Sequence, residues 1–265
     1  MRLSWKLGRI AGIDVFVHPT FLIVLLPGVL GGGDAIPLIL ALFGCVLLHE
    51  YGHALMARRF GIGTLDITLY PIGGVARLMR IPRAPGAEFL IAIAGPLVNF
   101  AIVAVLAAFG FLSLSAEGLS LSQSSFLGQL AILNLGLGLF NLIPAFPMDG
   151  GRVLRALLSV GFGRARATTM AARLGRVLAI AFGLMAIFVT QSLLHLILAV
   201  FIFLASRGEE LQVLSEERKR AHGLGDQSVW YAPPGYHWVD RGGGFWQLSP
   251  VSTSPHDRPG SNRWI

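Results

Sequence analysis

Long apolar stretches follow one another along most of this 265-residue chain. A helix needs roughly 20 apolar residues to cross about 30 Å of hydrocarbon, and six stretches reach or approach that length. The predicted spans lie near residues 13–31, 35–57, 88–112, 126–147, 168–190 and 192–206. The last is short, so it could instead form a re-entrant pair with its neighbour or a strongly tilted helix. The pattern predicts an all-α polytopic membrane protein.

A period of two interrupts the apolar pattern between the second and third spans. Apolar and polar residues alternate over residues 64–70, which is typical of a strand. Residues 71–74 read Pro-Ile-Gly-Gly, a sequence typical of turns, and residues 75–81 could form a return strand. We therefore expect a short membrane-associated β-hairpin that presents an open edge.

The C-terminal part of the chain has a different character. From about residue 222 onward, glycine and proline recur too often for long periodic elements, and polar residues fill the gaps. The sequence predicts a membrane domain over residues 1–207 and a largely disordered cytoplasmic tail over residues 208–265.

The composition narrows the class of protein. Hydrophobic residues make up 54% of the chain and charged residues 13%, whereas soluble domains average about 25% charged residues. A water-exposed globule of this size is therefore excluded. The chain has one cysteine, which excludes an internal disulfide framework and a cysteine-rich metal cluster.

The 21 lysine and arginine residues are distributed unevenly between the predicted spans. They precede the first span, lie between the second and third, or follow the fourth and sixth, whereas the connections 31–35, 113–125 and 190–192 contain none. Cytoplasmic loops are the ones enriched in lysine and arginine, so both termini are predicted to be cytoplasmic. The positive charge then contacts anionic lipid headgroups, and we expect no nucleic-acid partner.

Residues 49–53 read His-Glu-Tyr-Gly-His, the H-E-x-x-H spacing, inside the second span. A helix advances about 100° per residue, so His49, Glu50 and His53 project into one sector. Two imidazoles one turn apart can bind one metal ion while the glutamate reaches a water molecule on it. Chance placement of two core histidines is the alternative, but unpaired polar groups inside an apolar span are costly, which favours a functional pair.

A catalytic zinc site usually has three protein ligands, so a third must come from elsewhere in the chain. Asp149 is the best candidate, because it follows the fourth span, where Pro144 and Pro147 interrupt the helix. The second and fourth spans run in the same direction, and both motifs fall in their cytoplasmic halves. His49, His53 and Asp149 can therefore meet at a similar depth. An Asp-Gly turn that ends a helix is the alternative for Asp149.

Four stretches together resemble the site-2 protease family of intramembrane zinc metalloproteases, peptidase family M50. They are H-E-Y-G-H at 49–53, P-I-G-G at 71–74, A-G-P-L-V-N at 94–99 and N-L-I-P-A-F-P-M-D-G-G-R at 141–152. The resemblance spans roughly residues 8 to 210. The family's fuller pattern often has proline and leucine where Leu142 and Met148 stand here, and neither change removes a ligand.

The resemblance implies a zinc endopeptidase that hydrolyses peptide bonds of membrane-anchored substrates, as in regulated intramembrane proteolysis. His49, His53 and Asp149 match the family's ligands for one Zn2+, and Glu50 matches its catalytic base. Asn141 matches the motif asparagine, which either orients the substrate backbone or forms a helix–helix hydrogen bond. The resemblance also implies an integral protein of a prokaryotic cell membrane, with transmembrane proteins and lipids as partners. The oligomeric state is not predicted.

A transmembrane substrate must be unwound locally before cleavage, because its peptide groups are bonded within its own helix. The hairpin predicted at 64–81 could bind the extended segment by strand addition. Gly73 and Gly74, in its turn, are then substrate-binding residues.

Four further polar residues receive simpler explanations. His18, at the start of the first span, is explained by anchoring at the interface. His195, in the sixth span, is explained as a packing residue. Asn99 and Asn134 are expected to bridge helices.

A membrane metal-ion transporter or channel that uses the same ligands is the alternative function. A conducting site needs weak, exchangeable binding, whereas H-E-x-x-H supplies a base that transport does not require. A catalytically silent binding protein is disfavoured because Glu50 is present.

Overall fold

The computed structural model describes residues 4–71, 73–80, 82, 84–109, 125–221, 236–240 and 246–250. Helices dominate these residues. Their bounds are α1 Leu22–Leu30, α2 Ile36–Arg59, α3 Pro85–Ala108, α4 Phe126–Asn141, α5 Asp149–Phe162, α6 Arg164–Phe188 and α7 Leu193–Ala221, with a 3-10 turn at Pro19–Phe21 before α1. The predicted end of the third span, near residue 112, lies outside the described residues.

A small sheet combines two N-terminal strands with two strands between α2 and α3. The strands are β1 Trp5–Ile10, β2 Ile13–Val17, β3 Thr64–Tyr70 and β4 Gly73–Leu78, in spatial order β1-β2-β3-β4. Strands β1 and β2 pair antiparallel, as do β3 and β4, whereas β2 and β3 are parallel. In the described part of the chain, β4 therefore has one unpaired edge.

The prediction of a first span over 13–31 is wrong at its start. Residues 13–17 form β2, and α1 covers only nine residues. The side chains of Ile13 and Val15 are buried against Tyr51 and Ala54 of α2, so the first five residues of the apolar run belong to the sheet. Hydropathy alone does not assign a short apolar run to a strand or a helix, and for this reason the strand and the helix were predicted as one span.

Three helices, α2, α3 and α6, are long and apolar enough to cross a membrane. The stretches Pro19–Leu30 and Phe126–Asn141 are apolar but shorter. Large apolar side chains on α6 and α7 are exposed, as expected of surfaces in contact with lipid tails; they include Val177, Ile180, Leu184, Ile187, Leu194, Ile197, Val200 and Leu204. The chain is therefore a mostly helical integral membrane protein with a small sheet.

Helix α3 packs against α2, α4 and α5. Two glycines let its neighbours approach closely. A Cβ at Gly52 of α2 would lie 2.7 Å from the carbonyl oxygen of Ala94 in α3, and a Cβ at Gly138 of α4 would lie 2.9 Å from the ring of Phe100 in α3. This close packing brings polar side chains of α2 and α4 within hydrogen-bond reach of α3.

The chain divides into two units, Met1–Leu214 and Ser215–Ile265. The second contains the end of α7 and an antiparallel pair of strands, β5 Tyr236–Asp240 and β6 Trp246–Pro250. The rest of the tail predicted from residue 222 onward lies outside the described residues. The predicted boundary at 207/208 and the predicted disorder of the tail stay predictions.

Candidate metal centre

Helix α2 places two histidines on its buried face. His49 and His53 are 4% and 9% exposed, and their rings meet edge to face with centroids 4.7 Å apart. Their Nε2 atoms are 3.0 Å from each other. A separation of four residues puts both side chains on one side of the helix, as the sequence predicted.

Asp149 joins this pair from a different part of the chain. It is the first residue of α5, and its Oδ2 lies 3.1 Å from both Nε2 atoms. Two glycines follow it because the start of α5 packs directly on the preceding backbone. A Cβ at Gly150 would overlap the carbonyl oxygens of Leu142 and Ile143, and a Cβ at Gly151 would lie 2.6 Å from the backbone nitrogen of Phe146.

The other ring nitrogen of each histidine donates a hydrogen bond away from this group. His49 Nδ1 donates to Oδ1 of Asn99 at 2.6 Å, and His53 Nδ1 donates to the carbonyl oxygen of Ile91 at 2.7 Å. Asn99 in turn donates to Asn134 Oδ1 at 2.9 Å. These bonds place a proton on each Nδ1, so the neutral imidazoles direct their Nε2 lone pairs toward Asp149.

Three potential metal-ligand atoms therefore meet in one buried group. The two Nε2 atoms and one carboxylate oxygen lie 3.0–3.1 Å apart, close enough to share one cation. Zinc takes such nitrogen and oxygen ligands at about 2.0–2.2 Å in a tetrahedron, so its ligands are separated by about 3.3–3.5 Å. This buried group, which we call the metal centre (His49, His53 and Asp149), fits Zn2+ after a small expansion.

Gly95 of α3 closes one side of the metal centre. A Cβ at this position would lie 2.7 Å from His49 Nε2 and would overlap His53 Nε2. The sequence reasoning gave no role to Gly95, and it expected Asn99 to bridge helices without recognising its bond to His49. Both residues lie in the A-G-P-L-V-N stretch, which was the available signal.

Glu50 lies at the unpaired edge of β4. Its Oε2 accepts a hydrogen bond from the backbone N–H of Ala76 at 3.1 Å, and a Cβ at Gly74 would lie 2.5 Å from Glu50 Cγ. Glu50 of α2 thus contacts the unpaired edge of β4. The structure brings Gly74, one of the two predicted turn glycines, into direct proximity with the predicted base.

The other residues singled out in the sequence do not belong to the metal centre. Gly73 has a φ of 135° and lines an apolar groove with residues of α2 and α4. Asn141 ends α4, and its side-chain amide donates to the carbonyl oxygen of Leu137 in the same helix at 3.1 Å. His18 stacks on Tyr70, and His195 packs edge-on against Phe182, so neither histidine joins the metal centre.

A second buried polar group lies at the other end of the same helices. Arg155 of α5, 1% exposed, bonds Glu88 at 2.6 Å and Glu209 at 2.9 Å, and Arg164 bonds Glu88 at 3.3 Å. We call these four residues the ion cluster. Burial alone would raise the pKa of Glu209, but the positive charges of Arg152 and Arg155 lower it below its ordinary value.

The fold and the metal centre define a membrane protein with a buried two-histidine, one-aspartate site, and comparisons with known proteins give the same class. Residues 37–118 and 115–182 match peptidase family M50. The site-2 protease from Methanocaldococcus jannaschii, a solved structure, superposes with a TM-score of 0.60 at 36% identity and covers 78% of this chain and 95% of its own.

Two curated relatives extend the comparison. The zinc metalloprotease MJ0392 of Methanocaldococcus jannaschii is 38% identical over 218 residues, which are 79% of this chain and 61% of the relative. Rip3 of Mycobacterium tuberculosis is 39% identical over 244 residues, 82% of this chain and 61% of the relative. The chain thus spans about three fifths of the length of these relatives. It belongs to peptidase family M50.

Proposed function

We propose that this chain is an intramembrane zinc endopeptidase that hydrolyses peptide bonds of membrane-anchored proteins. The observation that carries the proposal is the meeting of three buried ligand atoms, both Nε2 and Asp149 Oδ2, within 3.0–3.1 Å of one another. Membership of peptidase family M50 supports the same reaction class.

In this proposal His49, His53 and Asp149 hold one Zn2+. When bound, zinc supplies a Lewis acid that polarises a peptide carbonyl and makes water acidic enough to react at neutral pH. Asn99 and the Ile91 carbonyl hold the imidazoles in the ligating tautomer. Gly95 keeps the space beside the two Nε2 atoms free.

Glu50 acts as the general base and acid. It accepts the proton of the attacking water and passes that proton to the leaving amine. Its carboxylate is half-buried and oriented by the N–H of Ala76, so it is positioned next to the edge at which a substrate backbone would lie.

The substrate binds by adding a strand to β4. Backbone groups alternate between the two sides of a strand, and Ala76 directs its N–H away from β3. The same alternation directs the backbone groups of Gly74 and Leu78 to the unpaired edge. Gly73 and Gly74 keep the entrance of this edge free of side chains. Asn141, whose amide is bonded within α4, offers its carbonyl oxygen to the substrate backbone.

We assign α1–α4, α6 and residues 193–206 of α7 to the membrane, with both termini on the cytoplasmic side. The predicted external connections, which follow α1, α3 and α6, contain no lysine or arginine. The basic residues lie before α1, between the end of α2 and α3, from α5 to the middle of α6, and from residue 207 onward. The metal centre then opens toward the cytoplasmic half of the bilayer. Transmembrane proteins are the expected substrates.

A metal-ion transporter that uses the same ligands is not favoured by any observation. The family match and the solved relative are to proteases. A base bonded to an edge strand also has no purpose in a translocation site.

Substitution of Glu50 by glutamine tests the reaction directly. The purified protein, wild type and Glu50→Gln, is analysed for zinc and incubated with a test protein that carries one transmembrane segment. We expect one zinc per chain in both proteins and cleavage by the wild type only. Wild-type protein that binds zinc but cleaves no membrane-anchored substrate, or equal cleavage by both proteins, would contradict the proposal.

Strand addition to β4 has its own test. Leu78→Pro removes an N–H from the unpaired edge while leaving the β3 side intact, a position at which strands tolerate proline. We expect a large loss of cleavage with zinc retained, whereas Leu78→Val retains both. Full activity of Leu78→Pro would refute binding at this edge.

A further inference from the structure

A polar cavity of about 160 Å³ lies between β4, α3, α5 and α7. It is large enough for several water molecules or one short side chain. Its charged lining consists of Glu88, Arg152, Arg155 and Glu209. Most of these groups belong to the ion cluster, so the cavity borders charged side chains inside an otherwise apolar protein.

The cavity lining holds two guanidiniums, those of Arg152 and Arg155, and two carboxylates, those of Glu88 and Glu209. Both carboxylates are already bonded, to Arg155 and to Arg164, which lies outside the lining. Arg152 is exposed and forms no ion pair with any residue that the structure describes. The N–H donors of Arg152 are therefore not occupied by an ion pair within the described residues, and a carboxylate from outside the chain can accept from them.

Arg152 lies between the metal centre and the ion cluster. It is three residues beyond Asp149 on α5, so both side chains lie on the same side of that helix. The carboxylates that act on its charge are Glu209 first, then Asp149, Glu88 and Glu50. A ligand of Arg152 would thus lie close to the reacting groups.

The edge of β4 connects this cavity with the apolar groove. Gly73, at the start of β4, lines the groove together with Leu137 and Phe140 of α4. Ala76 and Leu78 line the polar cavity. A strand that adds to β4 would therefore run from the apolar groove, past Glu50, to Arg152. At about 3.3 Å per residue, the cavity lies about two to four residues from the position of Glu50.

Given the proposed proteolytic function, we propose that Arg152 is a specificity residue that binds an acidic side chain of the substrate. That side chain lies two to four residues from the cleaved peptide bond, on the side that leads out of the substrate's apolar segment. The charge-assisted hydrogen bond forms at the mouth of the cavity, which Arg152 lines while its side chain stays exposed.

A substrate series tests the preference with the wild-type protein alone. Test proteins carry glutamate, glutamine or lysine at each position two to four residues from the cut, on either side. We expect kcat/KM to be about tenfold higher for glutamate than for lysine at one or two positions on one side only. Equal rates for glutamate and lysine at every position would overturn the inference.

Charge reversal at position 152 tests whether Arg152 causes the preference for an acidic substrate residue. In Arg152→Glu, lysine should become the preferred substrate residue at the same position, whereas Arg173→Glu, a reversal of an exposed arginine on α6, should keep the preference for glutamate. Zinc content shows that each variant retains its metal centre. A preference for glutamate that persists in zinc-loaded Arg152→Glu would overturn the assignment.

Two other results of these experiments would have different meanings. Cleavage that depends on anionic lipid through Arg152, and not on the substrate residue, would assign the guanidinium to lipid headgroups and overturn the inference. Failure of the zinc-loaded wild type to cleave any substrate would contradict the proposed function itself and, with it, this inference.

Discussion

The metal centre and the ion cluster are both buried groups of charged and polar side chains, but they are neutralised in different ways. In the ion cluster, carboxylates face guanidiniums at 2.6–3.3 Å, so opposite charges compensate one another within the chain. In the metal centre, two imidazole nitrogens face a carboxylate at a similar distance, and no lysine or arginine of the described residues is bonded to this group. The first arrangement holds helices together, whereas the second is arranged to bind an ion from outside.

Helix α5 belongs to both groups. Asp149 begins the helix at the metal centre, and Arg155, two turns later, lies in the ion cluster and over the ring of Phe146 at 5.0 Å. The cluster therefore positions the helix that supplies the third ligand. Three substitutions and one change of pH should distinguish the metal centre, which binds the ion, from the ion cluster, which stabilises the fold.

The largest expected effect is the loss of the metal after Gly95→Ala. The added methyl would occupy the space beside both Nε2 atoms, so we expect near-zero zinc per chain and no cleavage. Gly136→Ala in α4 is the matched control, because a Cβ there meets nothing within 4 Å. Full zinc content in Gly95→Ala, measured by plasma mass spectrometry, would show that the metal binds elsewhere.

The next effect is on stability rather than on the metal. Arg155→Met leaves the buried Glu88 with Arg164 alone and removes the ion-pair partner of the half-buried Glu209, and breaking a buried ion pair typically costs about 3–5 kcal/mol. We expect a large decrease in the melting temperature in detergent, with zinc still present in the folded fraction. Arg173→Met, at an exposed position, should change the free energy of unfolding by about 0.5 kcal/mol or less. A similarly small effect of Arg155→Met would mean that the cluster does not hold α5.

A smaller effect is expected where the metal centre is oriented by a neighbour. Asn99→Ala removes the acceptor of His49 Nδ1, and the loss of such a partner typically weakens metal affinity by about 10–100-fold. Competition with a zinc chelator measures this affinity. Asn141→Ala, whose amide bonds only its own helix among the described residues, should leave the affinity unchanged. Equal zinc affinities of the wild type, Asn99→Ala and Asn141→Ala would show that Asn99 does not support the metal centre.

The smallest expected effect concerns pH. The pKa of Glu209 is lowered from its ordinary value of 4.5, so its stabilising contribution is complete above that pH and is lost as pH falls through the folded-state pKa. We expect the melting temperature to fall more in the wild type than in Glu209→Gln as the pH falls below 4.5. Asp34→Asn, at an exposed position, should retain the wild-type dependence, and an unchanged dependence in Glu209→Gln would contradict the assignment.

The sequence predicted the three residues that the structure brings together, because local spacing and membrane topology both constrain them. His49 and His53 share a helix, and Asp149 follows a span that the charge pattern predicts to run in the same direction as theirs. Strand β3 was predicted over its full length, since alternation is a local signal. The return strand was predicted over 75–81, whereas β4 begins at Gly73, so Gly73 and Gly74 pair with β3 instead of forming the turn.

Other features depend on contacts between distant residues and have no local signal. The strand β2 was hidden in an apolar run until its partner β3, some fifty residues away, was known. From the sequence, Arg155 was assigned to a basic cytoplasmic loop. In the structure it is buried and bonded to Glu88 and Glu209, which are 67 and 54 residues away in the chain. The role of Asn99 likewise requires a partner 50 residues earlier.

X-ray absorption at the zinc edge tests the central claim most directly, because it reports the ligand atoms without requiring a substrate. For the wild-type protein with one zinc per chain, we predict two imidazole nitrogens and otherwise oxygen ligands at about 2.0–2.2 Å. Asp149→Asn should lose zinc or change this ligand set. A spectrum with sulfur from Cys45, which is buried one turn before His49 on α2, or one without paired imidazoles, would contradict the account.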